Sequence, residues 1–214
     1  MSRAVALLVT GASGARLPLH LLRALAGSSA VERVHLVVSA GASRVLRHEL
    51  ATGGRAPGAR ALLAAAGLAP AAAGKVVTHR DSDLDAPLAS GSYRLAGAAI
   101  VPCSASTVGA LAAGIATTLV HRAGAVALKE RWPLVLGFRE TPLSLLHLEN
   151  LRRLAQAGAV VLPPIPAFYV GAAVGAEPAE PESLDRFLDA YALRVLDHLG
   201  VATPELAGDL RWAK

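Results

Sequence analysis

Short runs of β-branched and aliphatic residues alternate along the chain with longer Ala/Leu-rich stretches, which is the pattern of parallel strands joined by crossover helices. Strands are predicted over residues 4–9, 34–38, 75–78, 98–102, 133–138 and 159–162. Helices are predicted over 15–26, 43–50, 105–113, 119–129, 143–157 and 183–199. The reading is a single α/β domain spanning 1–214. It is a Rossmann-like (flavodoxin-like), doubly wound, mostly parallel sheet with helices on both faces. Residues 51–74 and 170–182 are biased toward Ala, Gly and Pro. The first stretch is expected to hold a helix around 60–66, the second to be a mobile connection before the last helix.

Composition narrows the class. With 53% hydrophobic residues in 214, the chain can bury one large core. No stretch reaches the roughly 18 apolar residues of a membrane span, and the apolar run ending at Thr10 is too short for a secretory signal. A cytoplasmic protein away from membranes is expected. The single cysteine, Cys103, permits no internal disulfide and reads as a small buried hydrophobe. The net charge of +5 is carried by dispersed basic residues with 4% aromatics. Small anionic ligands are therefore expected, and nucleic acid is not.

Doubly wound sheets bind ligands beyond the carboxyl ends of their strands. The first strand runs into Thr10-Gly11-Ala12-Ser13-Gly14 and then a helix, whose first N–H groups suit an anion. A dinucleotide fingerprint would need Gly at position 13 and an acidic residue closing the second strand. Ser13 and Ser39 stand there instead, which argues against NAD. The fourth strand ends in Pro102-Cys103-Ser104-Ala105-Ser106-Thr107, three hydroxyls at one helix start and more than capping alone requires. After the fifth strand, Arg139 and Glu140 stand side by side, with Thr141 as expected cap and Pro142 in the first turn of the next helix. Arg122 and Lys129 lie about two turns apart on one predicted helix face and suit a second phosphate.

Several segments resemble the UbiX-type flavin prenyltransferases: Val9-Thr10-Gly11-Ala12-Ser13-Gly14-Ala15, Ala89-Ser90-Gly91-Ser92, Pro102-Cys103-Ser104 and Leu128-Lys129-Glu130-Arg131. Arg139-Glu140-Thr141-Pro142-Leu143-Ser144, His147-Leu148-Glu149-Asn150 and Pro166-Ala167-Phe168-Tyr169 complete the match. The resemblance implies a metal-independent enzyme that joins the dimethylallyl group of dimethylallyl phosphate to N5 and C6 of reduced FMN. The prenylated FMN would pass to a UbiD-type decarboxylase, and the chain would assemble into dodecamers with active sites at subunit interfaces. It assigns FMN binding to Gly11, Ala12, Ser13, Ser39, Ser104, Ala105, Ser106, Thr107 and Arg139. It places Glu49, Ser90, Arg122, Lys129, Tyr169 and Arg194 at the prenyl phosphate. Glu140 and Ser13 would move protons, and Lys129 would stabilise the leaving group. Leu84 stands where the family often has Trp, and Trp212 matches another family aromatic. A flavin-dependent cysteine decarboxylase, with His79 in view, and a non-catalytic FMN carrier are the alternatives. The turn at 102–107 and the lack of any Met beyond Met1 speak against the decarboxylase.

Overall fold

The computed structural model describes residues 3–50, 58–166, 184–207 and 210. Its strands are β1 (Ala4–Val9), β2 (Arg33–Val38), β3 (Val76–His79), β4 (Gly97–Cys103), β5 (Leu134–Phe138) and β6 (Val160–Val161). They form one sheet in the order β3-β2-β1-β4-β5-β6, and every pairing is parallel. This is the Rossmann order, whose direction of winding reverses between β1 and β4 and opens a crevice at their carboxyl ends.

The central strands are apolar without interruption because helices cover both faces. Along β1 the side chains alternate between two cores: Val5, Leu7 and Val9 join one, Ala4, Ala6 and Leu8 the other. The first core receives α1 (Arg16–Gly27), α2 (Ala40–Glu49), α3 (Ala59–Ala66) and α8 (Leu184–Leu199). The second receives α5 (Ala105–Ala112), α6 (Leu119–Glu130) and α7 (Leu145–Gln156). Two single-turn helices, α4 (Pro70–Ala73) and α9 (Pro204–Ala207), and a 3₁₀ turn at Pro87–Ala89 complete the described elements. Across α1 and α8, His20 Nδ1 lies 2.6 Å from Asp189 Oδ1, and Arg16 contacts Asp185. No described helix is long and apolar enough to cross a membrane.

Two helix starts differ from the sequence expectation by two residues or more, and capping explains both. α2 begins at Ala40, three residues earlier, because Ser39 Oγ accepts the Ala42 N–H at 3.1 Å. α7 begins at Leu145, not 143, and Thr141 is not its cap. Ser144 is the cap, in a capping box: its Oγ accepts the His147 N–H while His147 Nδ1 accepts the Ser144 N–H, each at 3.3 Å. Pro142 consequently lies outside the helix, in the loop 139–144. The expected helix around 60–66 is α3, and Cys103 is fully buried. The 170–182 connection lies outside the described residues.

Candidate active site

The sequence-selected residues fall into three groups. The first surrounds a cavity of about 350 Å³ at the β1/β4 crevice, lined by Gly11, Ser39, Ser104, Ser106 and Thr107. Its position follows from local chemistry. Thr10 Oγ1 donates to Pro102 O at 2.8 Å and accepts the Ser104 N–H at 2.8 Å, which stitches the end of β1 to the end of β4. Ser104 caps α5 and its Oγ lies 3.0 Å from both Ser106 Oγ and Thr107 Oγ1. The first N–H groups of α5 have no partner within the helix. Hydroxyls and N–H groups thus converge on one opening. A Cβ on Gly11 would stand 3.1 Å from the Gly41 backbone, so these two glycines let the turns after β1 and β2 close together and form the cavity wall.

The second group lies beyond the 11–14 turn, around a cavity of about 300 Å³ lined by Ser13, Gly14, Glu49, Arg139, Phe187 and Leu188, among others. The N-terminus of α1 does hold an anion, but the anion is the chain's own. Glu49 Oε2 accepts the N–H groups of Gly14 at 2.9 Å and Ala15 at 2.7 Å. Burial alone would raise the Glu49 pKa; the Ala15 and Gly14 N–H groups, the Ser13 hydroxyl and Arg139 outweigh it and hold the carboxyl below its ordinary value. Arg139 therefore faces Glu49, and it forms no ion pair with its neighbour Glu140 among the described residues. Glu140 Oε1 instead accepts the Thr141 N–H at 3.0 Å.

The third group sits on the 89–92 loop and the outer face of α6. Arg122 Nε donates to Ala89 O at 2.9 Å. Lys129 contacts Glu130, and a Cβ on Gly91 would stand 2.6 Å from Lys129 Nζ. Ser90 Oγ lies 2.8 Å from Ser92 Oγ. Arg122, Lys129 and Ser90 thus border one small loop, as their helix spacing predicts. Lys129 nevertheless stands eight residues along α6 from His121, which lines the first cavity; that is about 12 Å along the axis.

Ala12 and Ala105 are half-buried backbone elements of the two turns. Arg194 is exposed on α8 and lies six residues, about 9 Å along the axis, from Leu188, which lines the second cavity. Within a single chain it does not join the three groups. Tyr169 and Trp212 lie outside the described residues. Leu84 is 48% exposed. Sequence reasoning passed over Thr10, Arg44, Asp81, Thr118 and His121, all of which line the first cavity. Asp81 had a legible signal as an acidic residue two positions past β3: its carbonyl and Oδ1 accept the Leu119 and Val120 N–H groups at 2.7 and 2.9 Å, fixing the start of α6.

Comparison with known proteins agrees along nearly the whole chain. Residues 1–190 match the Flavoprotein family model. A flavin prenyltransferase UbiX of Deinococcus radiodurans is 43% identical over 204 residues, covering 95% of this chain and 90% of its own. A crystal structure of AnUbiX (PadA1) in complex with FMN and dimethylallyl pyrophosphate aligns with a TM-score of 0.79 at 35% identity, covering 100% of this chain and 99% of that one. A dodecameric FMN-dependent UbiX-like decarboxylase of Escherichia coli O157:H7 aligns with a TM-score of 0.77 at 36% identity, covering 99% of each chain. Fold, strand-end chemistry and full-length identity agree: this chain belongs to the flavoprotein family and, within it, to the UbiX-type flavin prenyltransferases.

Proposed function

We propose that the chain joins the dimethylallyl group of dimethylallyl phosphate to N5 and C6 of reduced FMN, giving prenylated FMN. The observation that carries this reading is 43% identity to a flavin prenyltransferase over 95% of the chain. The first cavity fits the flavin nucleotide chemically, since it offers three clustered hydroxyls and a capped helix N-terminus to an anionic, hydroxyl-rich ligand. Bound there, reduced FMN supplies two nucleophilic positions, N5 and C6.

The chain's own residues supply the rest. Gly11, Ala12, Ser13, Ser39 and the 104–107 turn hold the nucleotide, and Arg139 reaches it from across the 11–14 partition. Lys129 and Arg122, with Ser90, hold the phosphate of the prenyl donor and stabilise the charge that grows on it as the carbon–oxygen bond breaks. Glu49, Tyr169 and Arg194 complete that pocket. Glu140 accepts the proton that ring closure releases, with Ser13 as a relay. Because Lys129 is remote from the first cavity of its own chain, a second copy brings its 89–92 loop and the Lys129 end of α6 to the flavin. This supports a homo-oligomer of the dodecameric type with composite sites. The exposed Leu145 and Leu146, 73% and 75% accessible, give it apolar surface to bury. The product passes to a UbiD-type decarboxylase in the cytoplasm.

Anaerobic incubation with FMN, a reductant and dimethylallyl phosphate tests the reaction. Prenylated flavin detected by mass is the expected result, whereas FMN returned unchanged would make the chain a carrier. In the same assay Glu140→Gln is expected to lower turnover by about 10²-fold or more with FMN binding intact. A normal rate would remove Glu140 from the proton transfer.

A further inference from the structure

The wall of the first cavity contains one group that no hydroxyl or backbone partner satisfies. His121 stands in the first turn of α6, where Thr118 caps the helix by accepting the His121 N–H at 3.3 Å. The ring lines the cavity beside Ser104, Ser106 and Thr107. Its Nδ1, however, is shut off from solvent and has no hydrogen-bond partner among the described residues. Burying a ring nitrogen without a partner is unfavourable. The torsion that turns the ring is soft and roughly two-fold. A half-turn exchanges Nδ1 with Cδ2, so that a carbon takes the partnerless position and Nδ1 leaves it. The ring is neutral near pH 7, because burial lowers its pKa despite the opposing charge of Asp81. A neutral Nδ1 either accepts or donates one hydrogen bond, depending on tautomer.

Resting on the flavin reading above, we propose that His121 is a further FMN-binding residue, whose Nδ1 makes a hydrogen bond to the bound nucleotide. An Asn side chain places a polar atom near the position of Nδ1, a Gln side chain places one near Nε2, and Phe keeps the ring without either. The test is FMN affinity by fluorescence quenching, with no turnover involved. His121→Phe and His121→Gln are expected to bind FMN about tenfold more weakly, and His121→Asn to bind close to wild type. Unchanged affinity in His121→Phe overturns the proposal, and so does a loss in His121→Asn equal to that in His121→Phe. Should a variant fail to fold, the ¹⁵N resonance of the wild-type His121 Nδ1 decides: it is expected to shift on adding FMN, and a resonance that stays put overturns the assignment. If wild-type protein binds no FMN, the flavin reading itself fails. That outcome is distinct from a flavin site that is indifferent to position 121. A parallel titration with riboflavin locates the contact: a His121 effect that persists there lies on the ring or ribityl chain, and one that vanishes lies on the phosphate.

Discussion

Replacing Lys129 with Ala is expected to slow prenyl transfer by about 10²–10³-fold while FMN binding stays unchanged. Breaking the bond between the allylic carbon and phosphate oxygen concentrates negative charge on the departing group. A cation fixed beside it is worth more in the transition state than in the ground state, so its loss falls on the rate. On the proposed reading Lys129 acts from α6, whose spacing sets it on the same face as Arg122, beside the 89–92 loop that both residues border. It is also half-exposed, with 52% of its side chain accessible. Arg at this position keeps the charge but changes the donor geometry, and should recover only part of the rate. The proposed composite site adds a sharper check. Lys129→Ala and Glu140→Gln chains, each nearly inactive, should regain activity when mixed and reassembled, because some interfaces then hold both intact residues. A Lys129→Ala protein with normal turnover would end the assignment.

The second large effect concerns acid stability. His35 lies inside β2 at 2% exposure, with Nδ1 2.9 Å from His79 Nε2 and Nε2 2.9 Å from the Tyr93 hydroxyl. Burial, then the neighbouring His79 and Arg33, lower its pKa to about 4 from 6.5. The unfolded chain takes up this proton near pH 6.5, the folded chain only near 4. Stability from this residue is therefore complete above 6.5 and drains away as the pH falls to 4, at about 1.4 kcal/mol per unit and about 3 kcal/mol in all. His79 is shifted the same way by burial, opposed by Asp83, and adds to the trend. Urea midpoints measured from pH 7 to pH 4 should fall steeply for the wild-type protein. A His35→Gln chain, which keeps hydrogen-bonding capacity but does not titrate, should lose the larger part of that slope. Parallel slopes for the two proteins would show that His35 does not govern acid unfolding.

Much of the architecture was legible because strand and helix periods are local properties of the chain. The uninterrupted apolar runs of β1, β4 and β5 announced a sheet covered on both faces, and the hydroxyl run at 104–107 announced the cap of α5. Only the tertiary structure decided the rest. That Glu49, thirty-five positions from Gly14, fills the helix terminus an outside anion was expected to occupy depends on how α2 packs across the first turn. That Ser13 and Arg139 share a cavity with Glu49, while Ser39 and Ser104 share another, depends on the 11–14 turn standing between them. The start of α7 was decided by a Ser144–His147 exchange that competes with Thr141 and Pro142 at equal distance in sequence. His121 carried no sequence signal at all, since a lone histidine near a helix start reads as any polar residue until the packing of its neighbours leaves one nitrogen without a partner.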